Sequence, residues 1–208
     1  SNNWSWLLIL LLFVGSSFLA TRFAIVYKKA LGVEESEEGT RGGSNVISNG
    51  ILPPIIALAY SLGFLTPEQA LVAFTTSMAA ASADTMASEI GVLSPSPVLI
   101  TNPRKIVEPG VDGGISFEGL TASFLSSVSI SMLAYAGFLV LIEESHAFSA
   151  SIEINHLFIS VFFGFFGSVC DSFLGATLQS RDILSNNGVN LASISISVLL
   201  SLIFLDLF

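Results

Sequence analysis

Met78-Ala79-Ala80-Ala81-Ser82-Ala83-Asp84-Thr85-Met86-Ala87-Ser88-Glu89 is a small-residue, largely apolar run with two carboxylates inside it. It does not alternate polar and apolar as a half-buried strand does. With its flanks it reaches the roughly 20 residues a bilayer-spanning helix needs. A second apolar run carries a matching Ser168-Val169-Cys170-Asp171-Ser172. Ionised groups at membrane depth are costly, so helices that keep them mark a place where function is expected.

Composition agrees with a membrane reading. Of 208 residues, 52% are hydrophobic and only 11% charged, and the mean hydropathy is +0.79. A soluble domain of this length needs more charge on its surface. The apolar runs are continuous, which argues against a β-barrel. The expected class is therefore an all-α polytopic membrane protein, one integral domain of about six spans, near residues 4–27, 46–63, 67–91, 117–142, 152–179 and 191–208. The first run lacks the basic start and cleavage site of a signal peptide and is kept as structure. Cys170 is the one cysteine, so no intramolecular disulfide or cysteine-rich zinc site is expected; it reads as a small buried residue.

The net charge of −9 hides a segregation. All seven Lys and Arg fall at or after the first, third and fifth runs: Arg22, Lys28, Lys29, Arg41, Arg104, Lys105 and Arg181. Glu68, Glu143, Glu144, Glu153 and Asp206 mark the other side. The positive-inside rule places loops 28–43, 92–116 and 180–190 in the cytoplasm or stroma, with both termini outside. The outer loops are short, and Thr66-Pro67-Glu68-Gln69 reads as a capping box starting a helix. The acidic run Glu34, Glu35, Glu37, Glu38 reads as a solvated inner loop. His146 and His156, near the outer loop, read as surface histidines.

Asp84 lies about 26 Å into a helix entered from outside, and Asp171 is similarly deep in its own, so both approach the inner headgroup level. Asp84 and Glu89 are about 140° apart around the helix. Gly164, Ser168, Asp171, Gly175 and Gln179 make a small polar stripe that would bring Asp171 against the alanines of residues 67–91. The same glycines suggest a slot for a lipid tail. At the inner ends of the other runs stand Gly39 to Asn45, Gly110 to Ser116, and Asn186-Asn187-Gly188-Val189-Asn190. Helix N-termini and glycine-rich turns there suit anions, with Arg41, Arg104, Lys105 and Arg181 adding full charges. Carboxylates that suit Mg²⁺ and turns that suit phosphate thus share one face, the arrangement phosphoryl transfer uses. A weak duplication is visible: a glycine-rich segment ahead of one run and an aspartate in the next, twice over.

Ala80 to Gly91, Gly110-Val111-Asp112-Gly113-Gly114-Ile115-Ser116-Phe117-Glu118-Gly119, and Gly164 to Ala176 together resemble the phytyl-phosphate kinase family, which includes transmembrane protein 19. Arg41 to Gly50 resembles the family segment ahead of its second helix. The resemblance runs from residue 39 onward. Val111 stands where a hydroxyl residue is expected, and residues 32–38 have no counterpart. The resemblance implies phosphoryl transfer from a nucleoside triphosphate, CTP favoured, to a phytyl- or geranylgeranyl-type monophosphate. Asp84, Asp171 and Glu89 are the expected catalytic and metal-binding residues, with Mg²⁺ as the metal. Arg41, Gly43, Asn45, Asn49, Arg104, Lys105, Gly113, Gly114, Ser116, Ser172 and Arg181 are the expected phosphate and substrate residues. The expected partners are the isoprenyl phosphate, the nucleotide and membrane lipid, with no nucleic acid. A lipid nucleotidyltransferase uses the same groups. A cation-coupled transporter is the alternative of another class.

Overall fold

The computed structural model describes residues 4–23, 25–32, 43–144 and 153–207. Arg41, the glycines at 39 and 42, the acidic run at 34–38, and His146 lie outside the described residues. Within them the order is α1 (Trp4–Arg22), α2 (Ile25–Leu31), α3 (Gly43–Gly50), α4 (Leu52–Ser61), α5 (Pro67–Gly91), strands β1 (Val98–Leu99), β2 (Asn102–Ile106) and β3 (Gly114–Ile115), then α6 (Phe117–Glu144), α7 (Ile154–Thr177), a 3-10 turn at Gln179–Arg181, and α8 (Asn186–Leu205).

Helix α5 is the axis of the molecule. It starts where the capping box places it: Thr66 Oγ1 accepts the Gln69 N–H at 3.2 Å and Gln69 Oε1 accepts the Thr66 N–H at 3.1 Å. From Ala70 to Ala83 every residue is buried. Helices α6, α7 and α8 surround it and present small residues towards the interior. On α6 these are Ser123, Ser127 and Ser131; on α8 they are Ser193, Ser197 and Ser201, all buried at a spacing of four. On α7, a Cβ placed on Gly167 would stand 2.7 Å from Ala80 Cβ, and one on Gly164 would meet Ala79. Without a hydrophobic force between helices in lipid, close backbone approach of this kind supplies the attraction. Outward, Leu125, Leu133, Phe158, Phe162, Leu199 and Ile203 are exposed and form the apolar belt. Among the described residues α6, α7 and α8 are long and apolar enough to cross a bilayer.

Several features differ from the sequence expectation: the run at 4–27 is divided into α1 and α2, α8 starts at Asn186 and not at 191, and Cys170 is only half-buried. The stretch at 46–63 bends at Ile51 into α3 and α4, because Pro53 and Pro54 bring no N–H to the first turn of α4. The inner segment 92–116, read as a loop, holds a small antiparallel sheet in the order β2-β1-β3, with Val98 opposite both Ile106 and Ile115. Strands this short have no period to read. His156 is buried, not on the surface, because its Nδ1 accepts the Glu153 N–H in the cap of α7. Finally, Gly164 and Gly175 leave no slot for a lipid tail. Ala79 and Ser127 fill the space over Gly164, and the turn at Gly113 lies on Gly175.

Candidate functional site

Helices α5 and α7 end, and α6 and α8 begin, at the same pole of the bundle. There a pocket of about 520 Å³ opens under the sheet. It is lined by Asp84 and Glu89 from α5, Ser168, Asp171, Ser172 and Gly175 from α7, Asp112, Gly113, Gly114 and Ser116 from the segment before α6, and Asn186 from α8.

The centre of the site is a pair of carboxyl groups. Asp84 and Asp171, which are 87 residues apart in the numbering (171 − 84), lie within side-chain hydrogen-bonding reach of each other. The small stripe on α7 makes the approach possible, as its glycines seat the helix against Ala79 and Ala80. Ser193 Oγ on α8 donates to Asp171 Oδ2 at 2.9 Å. With the Asn190 amide turned so that all its neighbours are satisfied, its nitrogen also donates to Asp171 Oδ2 at 3.1 Å and its oxygen accepts from Asn49 Nδ2 at 3.1 Å.

Asp112 adds a third carboxylate at the rim. Its Oδ1 accepts from Gln179 Nε2 at 2.8 Å, and partial burial pushes its carboxyl above the ordinary value. The turn carrying it is shaped by glycine. Gly110 and Gly113 have φ of 86° and 75°, the left-handed region that side chains resist. A Cβ on Gly113 would also collide with the backbone of Ala176. Gly114 N–H closes the turn on Val111 O at 2.9 Å and is already engaged. Ser116 Oγ accepts the Gly119 N–H at 3.0 Å, so it caps α6 while lining the pocket.

Glu89 lines the pocket with both carboxylate oxygens engaged. Its Oε2 pairs with Lys28 Nζ at 2.5 Å and its Oε1 accepts from Thr21 Oγ1 at 2.6 Å. Both partners are buried, Lys28 completely. Lys28, expected in an inner loop, instead anchors α2 to α5. Among the described residues no group of three His, Cys, Asp or Glu side chains converges as metal ligands. The structure therefore brings Asp84 and Asp171 together and does not bring Glu89 to them.

The remaining expected residues divide. Gly113, Gly114, Ser116 and Ser172 line the pocket. Asn45 and Asn49 sit behind it, buried, with Asn49 Nδ2 donating to Asn45 O at 3.0 Å; they reach the site through Asn190. Gly43 is exposed at the start of α3. Arg104 and Lys105 are exposed on the edge strand β2, and Arg181 is exposed in the 3-10 turn. Among the described residues no Lys or Arg lines the pocket. Sequence reading missed Asp112, Asn190, Ser193 and Lys28. Asp112 was visible as an acid beside Gly113-Gly114 and Asn190 as part of a polar helix start, whereas nothing local marked Ser193 or Lys28 as belonging near the site.

Residues 1–198 match a family described as integral membrane protein DUF92. An uncharacterized membrane protein of Methanocaldococcus jannaschii is 30% identical over 189 residues, 91% of this chain and 71% of that protein. Protein PGR of Arabidopsis thaliana is 28% identical over 232 residues, 93% of this chain and 79% of that protein. Protein VTE6, chloroplastic, of the same plant is 27% identical over 190 residues, covering 88% of this chain but only 54% of its own length. No solved structure matches the chain.

Proposed function

The chain belongs to the DUF92 family of integral membrane proteins, and from that premise we propose that it is a membrane-embedded isoprenyl-phosphate kinase. The family match bears out the resemblance carried by the three motifs. The reading has a nucleoside triphosphate, CTP favoured, as donor and a phytyl- or geranylgeranyl-type monophosphate as acceptor. The observation that carries it is the facing pair Asp84 and Asp171 at the floor of an open pocket at one pole of the bundle.

Two carboxylates are fewer ligands than a divalent cation takes, but Mg²⁺ commonly uses one or two and fills its shell with water and substrate phosphate. The donor set present fits that use. In this reading Asp84 and Asp171 would hold Mg²⁺, which would supply charge neutralisation at the phosphates. A phosphate oxygen of the acceptor attacks the γ-phosphorus, the β–γ bridging bond breaks, and the nucleoside diphosphate leaves. Ser172 and the Gly110–Gly114 turn border the phosphates, and Val92, Ile115 and Leu120 form the apolar wall for the start of the tail. Arg104, Lys105 and Arg181, exposed outside the pocket, would approach the triphosphate, and Arg41 is expected to bind phosphate as well. Glu89 shapes the wall and is no metal ligand in this scheme. The active pole faces the cytoplasm or stroma, with about six crossings and both termini outside. A pocket at one pole also suits a kinase better than a carrier, whose site usually lies near the midplane.

The test is to incubate purified protein with Mg²⁺, geranylgeranyl phosphate or phytyl phosphate, and each of CTP, ATP, UTP and GTP, then to weigh the lipid products. An isoprenyl diphosphate is expected, falling more than about 100-fold in folded Asp84→Asn or Asp171→Asn protein. A nucleotide-bearing lipid, or full activity in those variants, overturns the assignment.

A further inference from the structure

Helix α8 contributes to the carboxyl pair without contributing a carboxyl. Asn190 is 3% exposed, one turn inside the start of α8, and bridges two elements that flank it. With the amide turned so that its donor and acceptor meet their complements, its nitrogen lies 3.1 Å from Asp171 Oδ2 and 3.1 Å from Asn186 O, and its oxygen lies 3.1 Å from Asn49 Nδ2. Three residues on, Ser193 Oγ reaches the same Oδ2 at 2.9 Å and the Asn190 carbonyl at 2.9 Å. Asp171 Oδ2 is thus within reach of two donors of α8, the Asn190 amide and the single hydroxyl hydrogen of Ser193. Asn49, itself 2% exposed, keeps an Oδ1 without a partner among the described residues, so its contribution here is that of a donor.

We infer that Asn190 is a positioning residue that orients the Asp171 carboxyl towards Asp84, with Asn49 of α3 as its anchor. Only a flat group with a donor at one corner and an acceptor at the other satisfies both neighbours, which is what an amide provides. A leucine of similar size removes both bonds. An aspartate would set a like charge against Asp171. Groups that hold a ligating carboxylate by hydrogen bonds fix its direction, and their loss typically costs about 10–100-fold in activity or metal affinity. The kinetic half of the inference rests on the kinase reading, while the geometric half does not.

The test uses the whole chain in lipid nanodiscs. The infrared difference between wild type and Asp171→Asn isolates the carboxyl bands of Asp171, and the same subtraction is made in an Asn190→Leu background. Displaced bands are expected, and unchanged bands overturn the inference whatever the protein catalyses. Should Asn190→Leu fail to fold, Ser193→Ala and Asn49→Leu each remove one link of the same chain and are expected to displace the bands by less. With geranylgeranyl phosphate and CTP, Asn190→Leu is expected to lower kcat about 10–100-fold and to leave both KM values within about twofold. A rise in KM with kcat unchanged overturns it. Displaced bands in a protein whose wild type forms no product would uphold the positioning and remove the kinase reading instead.

Discussion

Lys28 and Glu89 illustrate how much a single pair can decide in this bundle. Both are buried, and their contact ties the short α2 to the end of α5 beside the pocket. Removing one partner strands a charge, a change that typically costs about 3–5 kcal/mol. Lys28→Met is therefore expected to lower the unfolding transition strongly, whereas Lys28→Met with Glu89→Gln recovers part of the loss. Equal destabilisation in the single and double variants would show that the pair is not coupled. Asp112 makes a pH-dependent case. An acid whose folded-state pKa is raised contributes fully below its unfolded pKa, and that contribution is lost as pH rises through the folded value. Asp112→Asn keeps an acceptor for Gln179 and carries no charge. Its stability relative to wild type should grow from acid pH to neutrality, read as a widening difference in unfolding temperature. A difference that stays flat with pH would remove burial of Asp112 as its cause. Both expectations could be made only after folding, because Lys28 in the sequence is one cation of a basic loop and Asp112 one acid in a glycine turn.

At the scale of elements, contact between α5 and α7 rests on absent side chains. Gly167→Val places methyl groups where Ala80 and Ser197 already stand. Overpacking typically costs about 1–3 kcal/mol, occasionally more. The expected result is loss of folded protein, with lost activity in any that folds, since Asp171 moves with α7. Gly50→Ala is the control. Among the described residues nothing lies within 4 Å of a Cβ built there, and alanine in a helix gains up to about 1 kcal/mol over glycine. Normal expression of Gly167→Val would mean that the close approach is not needed. The stripe at Gly164, Ser168 and Asp171 was legible, and so was the helix it meets. Its meaning was read only in part. Small residues also suggested a lipid slot, and close packing fills that space instead, as helices in lipid lose dispersion contacts to any void. The serine rows on α6 and α8 were present in the sequence too, but a serine on a helix does not reveal whether it faces a neighbour or lipid.

For the whole molecule, polarity is the main fact. The ends of α5 and α7 and the starts of α6 and α8 gather every pocket-lining carboxylate at one pole. Expected sidedness can be read in a Cys170→Ser background with Phe64→Cys or Ser96→Cys, both at exposed positions just beyond opposite ends of α5. In sealed right-side-out vesicles an impermeant maleimide should label the cysteine replacing Phe64 and leave the one replacing Ser96 until the membrane is opened. The reverse pattern would invert the orientation.

Local chemistry alone determined the helical membrane class, the limits of α5 with its capped start, and the start of α6, because hydropathy and capping act within a few residues. Tertiary structure alone decided which carboxylate meets which. Asp84 and Glu89 share one helix, yet close packing on α7 turns the first to Asp171 while Lys28 and Thr21 claim the second. Asn190 acquired its place beside Asp171 in the same way, through contact between helices, which no spacing along the chain encodes.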